Sequence, residues 1–283
     1  MHFGRAAEKL SISQPPLSQQ IQSLEKELGA KLFHRTSRSV ELTGAGKVFL
    51  IDAKRIIGDT EQAVVDARRA SRGELGRIGI GFVASATYEA LPDILSRFRL
   101  DYPDVALDLY EMNAARQAPS LRDNKIDVAF ARPEVTGDDL ATETILTENL
   151  LAAVPESFRV KEDAIRLTEL ADEPFILYPR DPKPSYADYI IGICENAGFS
   201  PRISQETQQM QTALSLVSAG LGVTLVPASL LNMRRRGVIY LPFTVPAPVT
   251  RLSVVHRLGD KSPILKNFLE TARAGYKRIC DIK

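Results

Sequence analysis

Along residues 17–28 the apolar positions are Leu17, Ile21, Leu24 and Leu28, at steps of four, three and four. That spacing predicts a helix with one core-facing stripe. Gln14, Ser18, Gln19 and Gln22 lie off the stripe. They are short polar groups of the kind that reach base edges or phosphates, and the same pattern also fits any amphipathic helix with a polar outside. Ser13 stands at the N-cap position, expected to accept an orphan amide, and Pro15 and Pro16 suit a first turn whose amides need no intrahelical partner. Upstream, Phe3 to Leu10 predicts a short helix with Ala6, Ala7 and Leu10 as its apolar face. The tight Ser11-Ile12-Ser13 joins the two, a helix-turn-helix arrangement, and Gly29 is a stop signal.

After Gly29, Leu32/Phe33 and Val40/Leu42 flank a polar tip, which predicts a two-stranded hairpin, or wing. Arg35 and Arg38 are expected at that tip, where arginines suit phosphates or a minor groove. A plain solvated tip fits the same residues. From Gly46 to Arg72 no proline occurs. Phe49, Ala53, Ile56, Thr60, Val64 and Ala67 form a stripe of about three heptads, able to make a seam with a second helix or to pack on its own domain. Gly73 and Gly76 end it.

The remainder alternates strand-like and helix-like segments, which predicts an α/β region with a mostly parallel sheet. Strands are expected at 78–83, 105–110, 126–131, 150–154, 175–178, 222–226 and 252–256. Helices are expected at 91–99, 116–124, 186–197, 210–219 and 264–280. They group into two sheets. Two segments stand out as chemistry. Ala84-Ser85-Ala86-Thr87 and Lys183-Pro184-Ser185-Tyr186 each follow a strand and open a helix. Each sets a hydroxyl and free amides where a carboxylate can bind, although an ordinary N-cap serine looks the same. Arg132, just after a strand, adds a charge-assisted donor.

Charge sharpens the division. Residues 1–72 hold 12 Lys+Arg against 8 Asp+Glu, and the rest hold 24 against 27. The basic excess lies with the helix-turn-helix and, being modest, favours two copies on DNA. The two cysteines, Cys194 and Cys280, and the scattered His2, His34 and His256 make no metal or redox spacing. No metal or cofactor is expected. No apolar run reaches the ~18 residues of a membrane span, and the start carries no signal-peptide pattern, so the chain reads as cytoplasmic. Two rivals remain. Gly79-Ile80-Gly81-Phe82-Val83-Ala84 matches a dinucleotide fingerprint, but its glycines fall within a strand and no catalytic base is evident. A secreted solute-binding protein fits the two-lobed part but not the N-terminal block.

The block HFGRAAEKLSISQPPLSQQIQSLEKELGAKLFHRTSRSVELT (2–43) resembles the winged helix-turn-helix of LysR-type transcriptional regulators. GFVASATYEALP, LYEMNAARQ, LYPRDPKPSYADYIIG and MQTALSLVSAGLGVTLVPAS resemble the subgroup that controls catechol, benzoate and chlorocatechol degradation. The resemblance implies a winged helix-turn-helix at 1–43 and a linker or dimerisation helix at 44–72. It further implies a two-lobed α/β domain like a periplasmic binding protein, with lobe one at 77–151 plus 252–283 and lobe two at 152–251. Such regulators carry another helix before the position of residue 2, so the chain is expected to start in mid-domain. The family often has Arg directly after the Ser of PPLS, where this chain has Gln19. The implied partners are operator DNA, read by Gln14, Pro15, Ser18, Gln19, Arg35 and Arg38, RNA polymerase, and further copies of the chain as a dimer of dimers. The implied inducer is a small acid such as cis,cis-muconate or a chlorinated analogue, bound by Ser85, Arg132, Pro184, Ser185, Tyr186 and Met210. Ala114 stands where a ligand-binding Thr is usual, and Tyr186 where Phe is common.

Overall fold

The computed structural model describes residues 2–36, 39–159 and 162–282, with side chains as far as 275. The chain forms two compact units, 1–68 and 69–283.

In the first unit α1 (Phe3–Lys9) and α2 (Gln14–Leu28) precede the antiparallel pair β1 (Phe33–Arg35) and β2 (Val40–Leu42). Gly29 ends α2 in the left-handed region at φ 65°, where a residue without Cβ is unstrained. Phe3 meets Phe33 edge to face at 5.5 Å, so α1 leans on the wing. Ala7, Leu17 and Leu32 are buried. Leu10 and Leu28, expected inside, are 60% and 44% exposed. The 28-residue α3 (Gly44–Ser71) follows. Its expected single stripe is replaced by a broader apolar surface, with Val48, Ile51, Ile56, Ile57, Val64 and Val65 all exposed.

The second unit continues with β3 (Gly76–Phe82), α4 (Ala90–Asp101), β4 (Val105–Glu111), α5 (Ala114–Arg122), β5 (Val128–Ala131) and β6 (Leu140–Pro155). Then come β7 (Pro174–Leu177), α6 (Tyr186–Asn196), β8 (Arg202–Glu206), α7 (Met210–Ser218), β9 (Thr224–Pro227), β10 (Val238–Pro242), β11 (Val249–Arg257) and α8 (Pro263–Ile282). The expectation of two mostly parallel sheets is corrected. One sheet runs β10-β6-β11-β5-β3-β4, with β9 also paired to β6, and β7-β8 form a separate pair. Among the strand pairs of the described residues, β3 with β4 and β5, and β7 with β8, are parallel. β11, β10 and β9 all pair antiparallel to β6.

The 16-residue β6 is therefore a spine, about three times as long as the five-residue segment 150–154 that its composition suggested. Its charged and polar stretch Thr142–Asn149 hid the first half. Ile145 and Leu146 pack into one core with Phe98, Phe130 and Phe268. Leu150, Ala152 and Val154 face a second core with Phe175 and Leu170, while Leu151 and Ala153, on the alternate face, join a third with Met210 and Leu230. That is period-two alternation of a strand buried on both sides. The glycines of the dinucleotide-like motif lie inside β3. A Cβ at Gly79 would sit 3.1 Å from Ile126 Cα, and one at Gly81 2.6 Å from Ile126 Cδ1. They let a strand pass closely under a neighbouring loop and shape no phosphate turn. No helix among the described residues is long and apolar enough to cross a membrane.

Candidate functional site

On α2, Gln14, Pro15 and Gln19 are exposed and Ser18 is half-buried. Ser13 holds the N-cap position with extended backbone, but its side chain makes no capping bond. The cause is local. A capping hydroxyl serves the amides of the second and third helical residues, which here are Pro15 and Pro16 and have none.

Sequence reasoning missed Glu25, which is 3% exposed. Its Oε1 accepts the amides of Leu32 at 2.8 Å and Phe33 at 3.1 Å. Its Oε2 lies 3.4 Å from both Lys31 Nζ and Arg35 Nη2. Burial alone would raise the Glu25 pKa. The two amides, then the charge of Arg35 and the Lys31 bond, outweigh it and hold the carboxyl below its ordinary 4.5. The signal was present: Glu25 stands four residues after Ile21 and eight after Leu17, on the inward stripe. Arg35, expected at the hairpin tip, is instead the last residue of β1. Its guanidinium lies 4.9 Å over the Phe3 ring as well as against Glu25. Thr36 and Ser39 close the tip through a 2.9 Å amide-to-carbonyl bond. Arg38 lies outside the described residues.

In the second unit β5 delivers Arg132 into the interior, where its side chain is 2% exposed. Nη2 donates to Glu148 Oε1 at 2.7 Å. Glu148, on β6, is equally buried and also accepts the hydroxyl of Ser229 at 3.1 Å and the Ser229 amide. Arg132 Nε and Nη1 have no hydrogen-bond partner among the described residues. A buried donor left unpaired costs about 1–3 kcal/mol, and more when charged.

Around them, Tyr88, Leu151, Met210 and Leu230 form an apolar cluster with Tyr178 and Tyr186 packed against it. Tyr178 and Tyr186 lie 5.7 Å apart, ring to ring; the Tyr178 hydroxyl is buried without a partner among the described residues, and that of Tyr186 is buried beside Thr250. Burial pushes the Tyr88 phenol up to about 12 and the Tyr178 phenol well above 10; burial likewise raises Tyr186. All three are neutral. The positive charge of Arg132 opposes the rise at Tyr88 and Tyr186. A pocket of about 430 Å³ opens beside this set, lined by Glu89, Glu148, Asn149, Ser229 and Asn232 among others.

Of the residues expected to bind an inducer, the structure thus brings Arg132, Tyr186 and Met210 together. Ser85 is half-buried in a single 3-10 turn, Ala84–Tyr88, and not at the start of a regular helix. Ser185 is buried as the N-cap of α6. It accepts the Ala187 amide at 3.1 Å and donates to the Pro179 carbonyl at 2.6 Å. Pro184 is exposed. Sequence reasoning missed Tyr88, Tyr178 and Glu148. Each sits singly in its segment, so no local motif marked it.

Residues 1–47 match the family model "Bacterial regulatory helix-turn-helix protein, lysR family", and residues 71–277 match "LysR substrate binding domain". The HTH-type transcriptional regulator YnfL of Escherichia coli, described as uncharacterized, is 39% identical over 95% of this chain and 91% of its own length. The crystal structure of full-length CbnR with its target DNA aligns at a TM-score of 0.86 and 30% identity, over 97% of this chain and 94% of that one. The BenM effector binding domain with its effector benzoate aligns at 0.66 and 31% identity, over 72% of this chain and 93% of that one. Matched along nearly its whole length by proteins named as regulators, the chain belongs to the LysR family of helix-turn-helix transcriptional regulators, which bind DNA and are not enzymes.

Proposed function

We propose that this regulator responds to a small organic acid whose carboxylate pairs with Arg132, and that it works as a homo-oligomer on its operator. The muconates implied by the resemblance and the benzoate of the BenM complex both belong to that class of acid. The carrying observation is the Arg132 guanidinium, buried and with Nε and Nη1 unpaired. Such a group is stabilised by an anion that supplies the missing acceptors. In this reading Arg132, Tyr186 and Met210 meet the acid, Ser85 and Ser185 flank it from their first turns, and Pro184 stands at the rim.

On the operator, Gln14, Pro15, Ser18 and Gln19 face base edges, while Arg35 and Arg38 serve the backbone or minor groove. The exposed apolar surface of α3 pairs with a second copy, two dimers make a tetramer, and RNA polymerase is the downstream partner. The site of action is the cytoplasm, with the DNA. Titration calorimetry with benzoate and cis,cis-muconate tests the acid site. We expect binding by the chain and a loss of at least 30-fold in Arg132→Met. Equal affinities in both proteins remove Arg132 from the site.

A further inference from the structure

We propose that the 3-10 segment Ala228–Met233 reads the occupancy of the acid site, with Ser229 and Asn232 as its positioning residues. The inference rests on the reading of Arg132 as the carboxylate anchor, and gives a role to two residues that bond to the neighbours of that anchor.

The segment follows β9 and is tied at two points. Near its start Glu148, from β6, accepts the Ser229 amide and, at 3.1 Å, the Ser229 hydroxyl. Near its end Asn232 Nδ2 donates to the Tyr88 carbonyl at 3.0 Å, on the 3-10 turn that also carries Ser85. Between the two ties Leu230 is buried and packs with Tyr88, Leu151 and Met210. A 3-10 helix of six residues holds itself poorly, and no side chain caps this one. Its position is set by its ties, and both run to groups around Arg132. Next in the chain come Arg234, Arg235 and Arg236, all exposed, with the Arg235 amide on Tyr240 Oη at 3.1 Å. This cationic turn is covalently continuous with the segment and moves with it.

Glu148 Oε1 is shared. It accepts from Arg132 Nη2 at 2.7 Å and from Ser229 Oγ. A carboxylate on Arg132 Nε and Nη1, the nitrogens without a partner among the described residues, sets a second anion on the same guanidinium. Two anions then divide one cation. The pull of Arg132 on Glu148 weakens, and Glu148 leans on its other donors, the Ser229 amide and hydroxyl. Those bonds strengthen and the segment tightens. One carboxylate suffices, whatever the rest of the acid carries. Linkage requires the converse: the factor by which acid tightens the segment is the factor by which a held segment tightens acid binding. Ser229 thus raises acid affinity through Glu148, by satisfying oxygens that would otherwise hold Arg132 back.

Hydrogen–deuterium exchange on the full chain, read by mass spectrometry of the peptide spanning 228–236, tests this relay. The probes are benzoate and cis,cis-muconate. Saturation with either acid that binds should slow exchange in that peptide at least fivefold. In Ser229→Ala, at saturating acid, the slowing should shrink below twofold. Titration calorimetry should find the acid bound three- to tenfold more weakly by the same variant. Asn232→Ala, which frees the far end of the segment, should lose at least half of the slowing. A serine that only supports the fold would lower the melting temperature in Ser229→Ala and leave both the slowing and the acid affinity intact, and that result overturns the inference. Exchange that acid leaves unchanged, or speeds, overturns it as well. If neither acid binds, or if Arg132→Met binds them as the parent does, the anchor falls and the relay falls with it. If acid binds through Arg132 while the 228–236 peptide stays indifferent, the anchor stands and only the relay is lost.

Discussion

Glu25 in the first unit and Glu148 in the second are both buried and both face an arginine, Arg35 and Arg132. Their surroundings differ in one respect. Glu25 is wholly absorbed by its fold: it takes two backbone amides of the wing and two side-chain cations, and Arg35 spreads its remaining face over Phe3. Glu148 holds Ser229 and one nitrogen of Arg132, and Arg132 keeps two nitrogens unused. A buried carboxylate with every bond made sets geometry. A buried ion pair with donors to spare is, on the proposed reading, kept for a third party. On that reading the chain uses the same two residue types to fix the wing in place and to keep a site for an anion.

The largest effect that would test this contrast is Glu148→Ala. It strands a guanidinium that is 2% exposed, and breaking a buried pair from one side costs ~3–5 kcal/mol. The chain has eight tyrosines and no tryptophan, and every tyrosine falls at or after Tyr88. Urea unfolding followed by tyrosine fluorescence thus reads the second unit alone. A loss under about 1 kcal/mol, the range of an exposed pair, means that water already reaches Arg132.

Glu25→Ala comes next, at ~2–3 kcal/mol, from two amides left without an acceptor in a site that Arg35 and Lys31 can still hydrate in part. Exchange of the Leu32 and Phe33 amides, followed by NMR, should quicken by roughly 30- to 150-fold. Its pH dependence has a definite sign. The folded pKa lies below 4.5, so the contribution is complete above that value and is lost as pH falls through the lowered one. Glu25→Gln should flatten the acid limb of the first unit's stability, and an unchanged limb means that Glu25 titrates as it does unfolded.

Much of this architecture was legible because periodicity reports burial. The stripe through Leu17 and Ile21 gave α2, and the apolar runs at Ile78–Val83 and Phe175–Tyr178 gave β3 and β7. What stayed hidden was polar on the outside or remote in the chain. β8 is Arg-Ile-Ser-Gln-Glu, exposed at all five positions, and carries no apolar alternation to find. The first half of β6 is masked by Thr142, Glu143, Thr144, Thr147 and Glu148. The proposed acid site was half visible as a cluster: Arg132 and Tyr186 were marked by their place after a strand and in a first turn. Glu148 was not, because it meets Arg132 across sixteen residues of chain and only pairing of β6 with its neighbours brings them together. Ser85 and Ser185 show the converse, since a first-turn hydroxyl reads the same whether it serves a ligand or its own helix.

Ser185 makes that ambiguity measurable. Its hydroxyl both accepts from Ala187 and donates to Pro179, so the fold already uses it, as it uses Glu25 and unlike Arg132. Ser185→Ala should cost the second unit about 1 kcal/mol, the usual value of an N-cap, again by tyrosine fluorescence. Acid affinity should fall far less than in Arg132→Met. A fall of equal size would place Ser185 with Arg132 among the groups held for the ligand.

The smallest change expected is the most discriminating. Replacing both partners, Arg132→Met with Glu148→Leu, removes two buried charges at once. Exchanging a buried pair for apolar groups of like volume is often neutral or favourable by ~1–4 kcal/mol. Here Ser229 loses the acceptor of its amide and hydroxyl, a loss of about 1–3 kcal/mol that offsets the gain. The net change should therefore lie within ~1 kcal/mol of zero, against ~3–5 kcal/mol for Glu148→Ala alone, and acid binding should vanish. That outcome means the pair contributes little to stability and is kept for what it binds. A double variant as unstable as Glu148→Ala would mean instead that Arg132 and Glu148 hold the second unit together as Glu25 holds the wing, and the distinction between the two arginines would disappear.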